Sequence, residues 1–151
     1  MSTENLFEQL RKDHEMQRDV LDMIIETSGE SEARKKMLKV LDELLTSHAK
    51  YEEIYFYAPL MEMESTHELA RHSVAEHKDI DDLLQKLKDT DMSSSAWLST
   101  AKELKHLVEH HLDEEEQEVF RPAGKFLAEK EKTNLAHQYR DSMQSHRDIS
   151  I

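Results

Sequence analysis

The sequence predicts an all-α fold, an antiparallel up-down-up-down four-helix bundle with a short C-terminal helical tail, and three observations carry that prediction. Only 2 glycines and 2 prolines interrupt the 151 residues, while Leu, Glu, Lys, Met and Ala abound and β-branched residues are few. Unbranched side chains lose little rotamer freedom in a helix, so this composition favours helix over strand. Apolar residues recur every three or four positions along four long stretches, the period of a helix with one buried face. Few residues separate these stretches, and short connections make consecutive helices antiparallel neighbours. A chain of this length is most simply one domain, 1–151, large enough to bury a core.

The first helix carries Leu6, Leu10, Leu21, Ile24 and Ile25 and stops near Ser28-Gly29. His14 falls in its apolar seam, so an imidazole takes a core slot. Ser31 is the expected N-cap of the second helix, whose stripe runs through Met37 or Leu38, Leu41, Leu44, Leu45, His48, Glu52, Tyr55 and Phe56 until Pro59 ends it or loosens its last turn. Ser65-Thr66-His67-Glu68 has the form of a capping box, opening a third helix with Leu69, Ser73, His77, Ile80, Leu84 and Leu87 on its buried face. Asp91 to Ser95 is a polar loop with one serine as cap. The fourth helix carries Trp97, Ala101, Leu104, Leu107, Val108, His111, Glu115 and Val119, closed by Pro122. Beyond it Phe126, Leu127, Leu135, Tyr139 and Met143 suggest a fifth segment capped by Thr133, with fraying past Ser145.

Two of these helices repeat. His48-x-x-x-Glu52-Glu53 and His111-x-x-x-Glu115-Glu116 lie 63 residues apart, as do Asp13-His14 and Glu76-His77, and Pro59 and Pro122. The chain is therefore a duplicated helix pair, about 6–60 and 66–122, followed by an unmatched tail, 123–151. A histidine and a glutamate four apart lie about 40° from alignment on one helix face. In each copy they point into the seam. Each histidine is also about a dozen residues from the loop to its neighbouring helix, which brings all four to one depth of an antiparallel bundle. Burying imidazoles and carboxylates costs roughly several kcal/mol each unless they are paired or metal-bound. Six such residues at one repeated offset point to a metal site.

The chain has no cysteine, which removes disulfides, iron–sulfur clusters and thiolate sites. Imidazole with carboxylate suits iron, manganese or zinc. Two carboxylates able to bridge, with two histidines for each half, favour a dinuclear site whose remaining positions take solvent, an oxo or hydroxo bridge, or a small exogenous ligand. A formal charge of −13 argues against nucleic acid or an anionic membrane as partner. Neither a secretory signal nor a membrane-length apolar run is visible, so a cytoplasmic location is expected.

Taken in order, His14, His48-x-x-x-Glu52, Glu76-His77 and His111-x-x-x-Glu115-Glu116 with Val119-Phe120-x-Pro122 resemble the hemerythrin-like, or HHE cation-binding, family from His14 to Pro122. The resemblance implies a non-heme di-iron centre (Fe2+/Fe3+) with His14, His48, Glu52, His77, His111 and Glu115 as ligands and the two glutamates bridging. Oxygen carriers of the family have a further histidine four residues before the one matching His77. Ser73 stands there, and His72 points about 100° away. Members lacking that histidine lean towards peroxide, nitric oxide or iron sensing. Oxygen carriers also place the last carboxylate five residues after the histidine, at Glu116, whereas the internal repeat selects Glu115.

The remaining histidines, His67, His72, His106, His110, His137 and His146, default to the surface. Tyr51, Tyr55 and Tyr139 are candidates to reach the site, with core packing the plainer role. The expected function is a di-iron protein binding or reacting with a small oxidant (O2, peroxide or NO). Any turnover would be metal chemistry, because no nucleophile or triad is evident. An iron- or oxygen-sensing module without turnover is the alternative. A ferritin-like oxidase is a minor one, since Glu64-x-x-His67 and Glu103-x-x-His106 match its string but miss the seam.

Overall fold

The computed structural model describes residues 6–126, 135–136 and 138–144, and these contain no strand. Helix α1 (Leu6–Ile24) is followed by α2 (Glu32–Glu52), which runs through a π-helical turn (Glu53–Tyr57) into the short α3 (Ala58–Met61). Then come α4 (His67–Asp89) and α5 (Ser95–Glu114), the latter passing through a second π-helical turn (Glu115–Val119) into α6 (Phe120–Phe126). Residues 135–136 and 138–144 are also helical.

Helix α1 packs on α2 and α5, and α4 packs on α5 and α2, closing a four-membered bundle. Arg34 shows that neighbours run in opposite senses. Its guanidinium donates from Nε to Thr27 Oγ1 at 3.0 Å, from Nη2 to the Thr27 carbonyl and from Nη1 to the Met92 carbonyl at 2.6 Å. It also lies 4.1 Å from the Trp97 ring centre. The end of α1, the start of α2, the end of α4 and the start of α5 therefore share one end of the bundle.

The core is split in two. At the Arg34 end, Leu21, Ile24, Leu41, Leu87, Trp97 and Leu104 form one apolar cluster. At the other end, Leu6, Leu10, Phe56, Leu60, Tyr139 and Met143 belong to a second. Between them lies a buried polar layer of His14, His48, Glu52, His77, His111 and Glu115. Each cluster excludes water from one side of that layer. Trp97 is fully buried, so Trp97→Ala should cost about 3–5 kcal/mol through the lost burial and the cavity left behind. Denaturant unfolding would read this directly.

Local signals explain most helix boundaries. Ser31 accepts from the Arg34 amide at 3.1 Å and Ser94 from the Trp97 amide at 3.3 Å, so both serve as N-caps. Gly29 takes φ 59° in the turn between α1 and α2, a conformation that suits glycine. The capping box expected at Ser65–Glu68 does not form. Thr66 precedes α4, but its hydroxyl turns back to donate to the Leu60 carbonyl at 2.8 Å and caps nothing.

Pro59 loosens the last turn of its helix without ending the chain's helical path, and Pro122, expected to close the fourth helix, does the same. Pro59 lies within α3 and Pro122 within α6, each just beyond a π-helical turn. A proline inside an α-helix lacks its N–H and crowds the carbonyl four residues back. A turn widened to i→i+5 bonding relieves that conflict: the Ala58 and Phe120 amides reach back to Glu53 and Glu115. Of the predicted tail, Tyr139 and Met143 are buried in the second cluster and Leu135 packs against it. Leu127, Thr133 and the stretch beyond Ser145 lie outside the described residues.

Candidate metal centre

Each of the six seam residues predicted from the sequence reaches the polar layer. His14 comes from the middle of α1, His48 and Glu52 from the last turns of α2, His77 from the middle of α4, and His111 from the last turn of α5. Glu115 opens the second π-helical turn. All six are buried, Glu52 at 0% exposure and Glu115 at 1%.

They form two overlapping groups. His14, His48, Glu52 and Glu115 make one, and His77, His111, Glu52 and Glu115 the other, with candidate ligand atoms in each group within 4.8 Å of one another. The carboxylates belong to both. Glu52 turns Oε2 to His48 Nε2 (3.3 Å) and His14 Nε2 (3.7 Å), and Oε1 to His77 Nε2 (3.0 Å). Glu115 turns Oε1 to His14 Nε2 (2.9 Å) and Oε2 to His111 Nε2 (3.4 Å). Each carboxylate thus offers one oxygen to each pair of imidazoles.

Short as these distances are, the atoms are poorly aligned for hydrogen bonding. The Nε2 atoms of His14, His48, His77 and His111, both Glu52 oxygens and Glu115 Oε1 are buried without a hydrogen-bond partner. Buried polar atoms are rarely left so in a folded protein. Seven orphaned atoms facing one another suit cations shared among them.

The other ring nitrogen of each histidine is anchored by an acid. His14 Nδ1 lies 3.2 Å from Glu116, His48 Nδ1 3.4 Å from Asp13, His77 Nδ1 3.3 Å from Glu53 and His111 Nδ1 2.8 Å from Glu76. Tyr139 joins the Asp13 pair, its hydroxyl 2.6 Å from His48 Nδ1 and donating to Asp13. An acid at Nδ1 fixes the tautomer that leaves Nε2 free for a metal, and sets the ring's orientation. Removing one such acid should weaken metal binding about 10–100-fold. Glu76→Ala, tested by competition with a chromophoric chelator, is the case to choose because its 2.8 Å contact with His111 Nδ1 is the shortest of the four.

These anchors obey the repeat. Asp13 and Glu76 are 63 residues apart, and so are Glu53 and Glu116. Asp13 and Glu76 hold histidines of their own copies, whereas Glu53 and Glu116 reach across to the other copy. Glu116 is therefore an anchor, tied also to Arg18 at 2.9 Å, while Glu115 faces inward as the repeat indicated. From Asp113 to Glu118 only Glu115 is buried; on the outer face Asp113 pairs with Arg18, and Glu114 with His72 and His110.

Without metal, the layer balances its own charge. Burial opposes protonation of His48 and His77, but the Glu52 carboxylate, with Asp13 and Glu53, raises them to about 9 and about 10. Glu115 is pushed up by burial and by the charge of Glu52. Burial opposes ionisation of Glu52 as well, yet His48, His14 and His77 hold it well below the usual range. The raised histidines stabilise the metal-free protein fully below their ordinary value of 6.5, and that contribution fades as pH rises through about 9 to 10. Cations entering at neutral pH must displace these protons. Metal uptake should release protons, measurable by calorimetry in buffers of differing ionisation enthalpy.

Tyr57 was not foreseen. Its buried hydroxyl donates to Glu115 Oε2 and its ring centre lies 5.9 Å from that of His77. A regular α-helix would carry the seam from Glu52 to Phe56, but the π-helical turn shifts the register so that Tyr57 also faces inward. Burial and the charges of Glu115 and Glu52 hold its phenol well above the usual value, so it stays a donor. Of the tyrosines singled out earlier, Tyr139 touches the site histidine His48, Tyr55 bonds Ser142 at 2.7 Å and Tyr51 stacks on Tyr55. His72, His106 and His110 are exposed and His67 is half-buried, while His137 and His146 lie outside the described residues.

The family model for the hemerythrin HHE cation binding domain matches residues 5–123, which spans the bundle and all six seam residues. The chain belongs to the hemerythrin HHE cation-binding family. Among solved structures it is similar to a hemerythrin HHE cation binding domain-containing protein from Mycobacterium kansasii, with 25% identity and a TM-score of 0.86. That likeness covers 97% of this chain and 89% of the other. None of the curated proteins matches the sequence. Membership agrees with the orphaned Nε2 and carboxylate atoms: this HHE domain is built to bind metal. No described helix is long and apolar enough to cross a membrane.

Proposed function

We propose that the protein is a non-heme di-iron protein that binds and reacts with a small oxidant, O2, peroxide or NO, in the bundle core. In this reading His14 and His48 would hold one ion and His77 and His111 the other, with Glu52 and Glu115 shared between them. The observation that carries it is the divided aim of the carboxylates, each with one oxygen towards either histidine pair. A single ion would leave half of these donors unused. Two irons so held would supply redox equivalents and positions at which a small oxygen- or nitrogen-based ligand can bind.

The protein's own groups do the rest. Apolar clusters shield the layer from water towards both ends of the bundle, and the acids at Nδ1 keep the imidazoles in place. The two halves differ. Around His14, the repeat positions equivalent to Ser73 and Tyr57 are Leu10 and Phe120, and the Phe120 ring stacks 5.9 Å from His14. Around His77, Ser73 and the Tyr57 hydroxyl interact and make that wall polar. Tyr57 holds a proton at Glu115 Oε2, beside the half that lacks the further histidine of oxygen carriers. Stronger donor chemistry on one half suits reaction with an oxidant better than symmetric storage of O2.

The test is hydrogen peroxide added to iron-loaded protein. Consumption well beyond one equivalent per chain, lost in His111→Ala, is the expected result. A loaded protein that leaves peroxide untouched would contradict turnover.

A further inference from the structure

A cavity of about 540 Å³ opens between α2 and α4 and reaches His48, His77 and His111. Near the imidazoles its walls are largely hydrocarbon, from Leu45, Ile80 and Leu84. Besides the histidines, the polar side chains that line it are Thr46, Lys50, Glu53, Lys78 and Asp81, exposed or half-buried, and one that is buried. Gln17, one turn beyond His14 on α1, faces the cavity at 2% exposure, and its Nε2 has no hydrogen-bond partner. A buried amide without a partner is destabilising and calls for an explanation.

The fold does not require it. The position equivalent to Gln17 in the second copy is Ile80, which lines the same cavity with hydrocarbon. An aliphatic residue therefore satisfies this place in the duplicated helix pair, and the amide is particular to one side. It lines the same cavity as His48, His77 and His111.

We propose that Gln17 makes this cavity a binding chamber selective for a ligand whose outer atom forms hydrogen bonds, peroxide, over nitric oxide. The inference rests on the di-iron reading and narrows it. A carboxamide both donates and accepts, and so do the oxygens of hydrogen peroxide. Nitric oxide has no proton to give and accepts poorly. A site holding a buried polar group disfavours ligands that leave the group unpaired.

The experiment uses iron-loaded full-length protein, with metal content measured on every sample, and two probes: azide, an unreactive hydrogen-bonding anion, and nitric oxide. Gln17→Leu is close in size and removes a buried unpartnered amide, so its metal content should stay the same and its Tm should hold or rise. Its azide Kd should rise about tenfold or more, the loss of one hydrogen bond to a charged ligand, while its nitric oxide Kd stays within about twofold. Gln17→Glu should weaken azide further, since a carboxylate repels the anion. An azide affinity indifferent to Gln17→Leu, or equal weakening of both probes, would overturn the inference while leaving the metal pair intact. Wild-type protein without a metal pair would overturn the di-iron reading and this inference together.

Discussion

Glu52→Ala should abolish binding of both metal ions, not one. Glu52 has no exposed surface and faces three of the four histidines, with one oxygen towards each group. Its loss would remove a ligand from both halves at once and the carboxylate that balances protonated His48 and His77. Iron content should fall from about two per chain to background, against the graded 10–100-fold weakening expected when an anchor such as Glu76 is removed. Because the apolar clusters at both ends are untouched, the variant should keep its helical circular dichroism. A folded Glu52→Ala protein that still holds two ions would exclude a bridging role for this residue.

Stripping the metal from the wild-type protein should lower its Tm by roughly 10 °C or more. An ion present at about a thousand times its Kd stabilises the folded state by about 4 kcal/mol. For a chain of this size each kcal/mol is worth roughly 2–4 °C. The physical source is the polar layer itself: without cations, seven buried ligand atoms lack hydrogen-bond partners, a cost the metal-bound state avoids. Thermal unfolding before and after dialysis against a chelator reads the difference. Identical curves would mean that the layer is satisfied without metal.

The six residues of the buried polar layer could be read from the sequence because their placement depends on simple arithmetic. Seam spacing places His48 and Glu52 on one helix face, and a repeated offset of 63 residues marks His111 and Glu115 as their equivalents. The same offset favoured Glu115 over Glu116, and Glu115 is the one buried in the layer. It also held an unused signal, since Asp13 and Glu76, and Glu53 and Glu116, share it. That Glu53 and Glu116 each serve the other copy is a matter of helix packing, which no local pattern encodes. Tyr57 was hidden for a different reason: a π-helical turn moves the register by one residue, and seam counting assumes an unbroken α-helix. The prolines that seemed to end helices mark the same two turns. Thr66 shows a motif overridden by tertiary contact, its hydroxyl spent on the Leu60 carbonyl instead of a cap. Gln17 lay outside the pattern because only the cavity shows that its amide faces empty space.

The most direct check on the central claim is anomalous diffraction at the iron edge from crystals of aerobically purified protein, paired with elemental analysis. Two iron peaks about 3.5–4 Å apart, one beside His14 and His48 and the other beside His77 and His111, with Glu52 and Glu115 spanning both, is the result predicted. One peak, or a lone zinc in the layer, would contradict it.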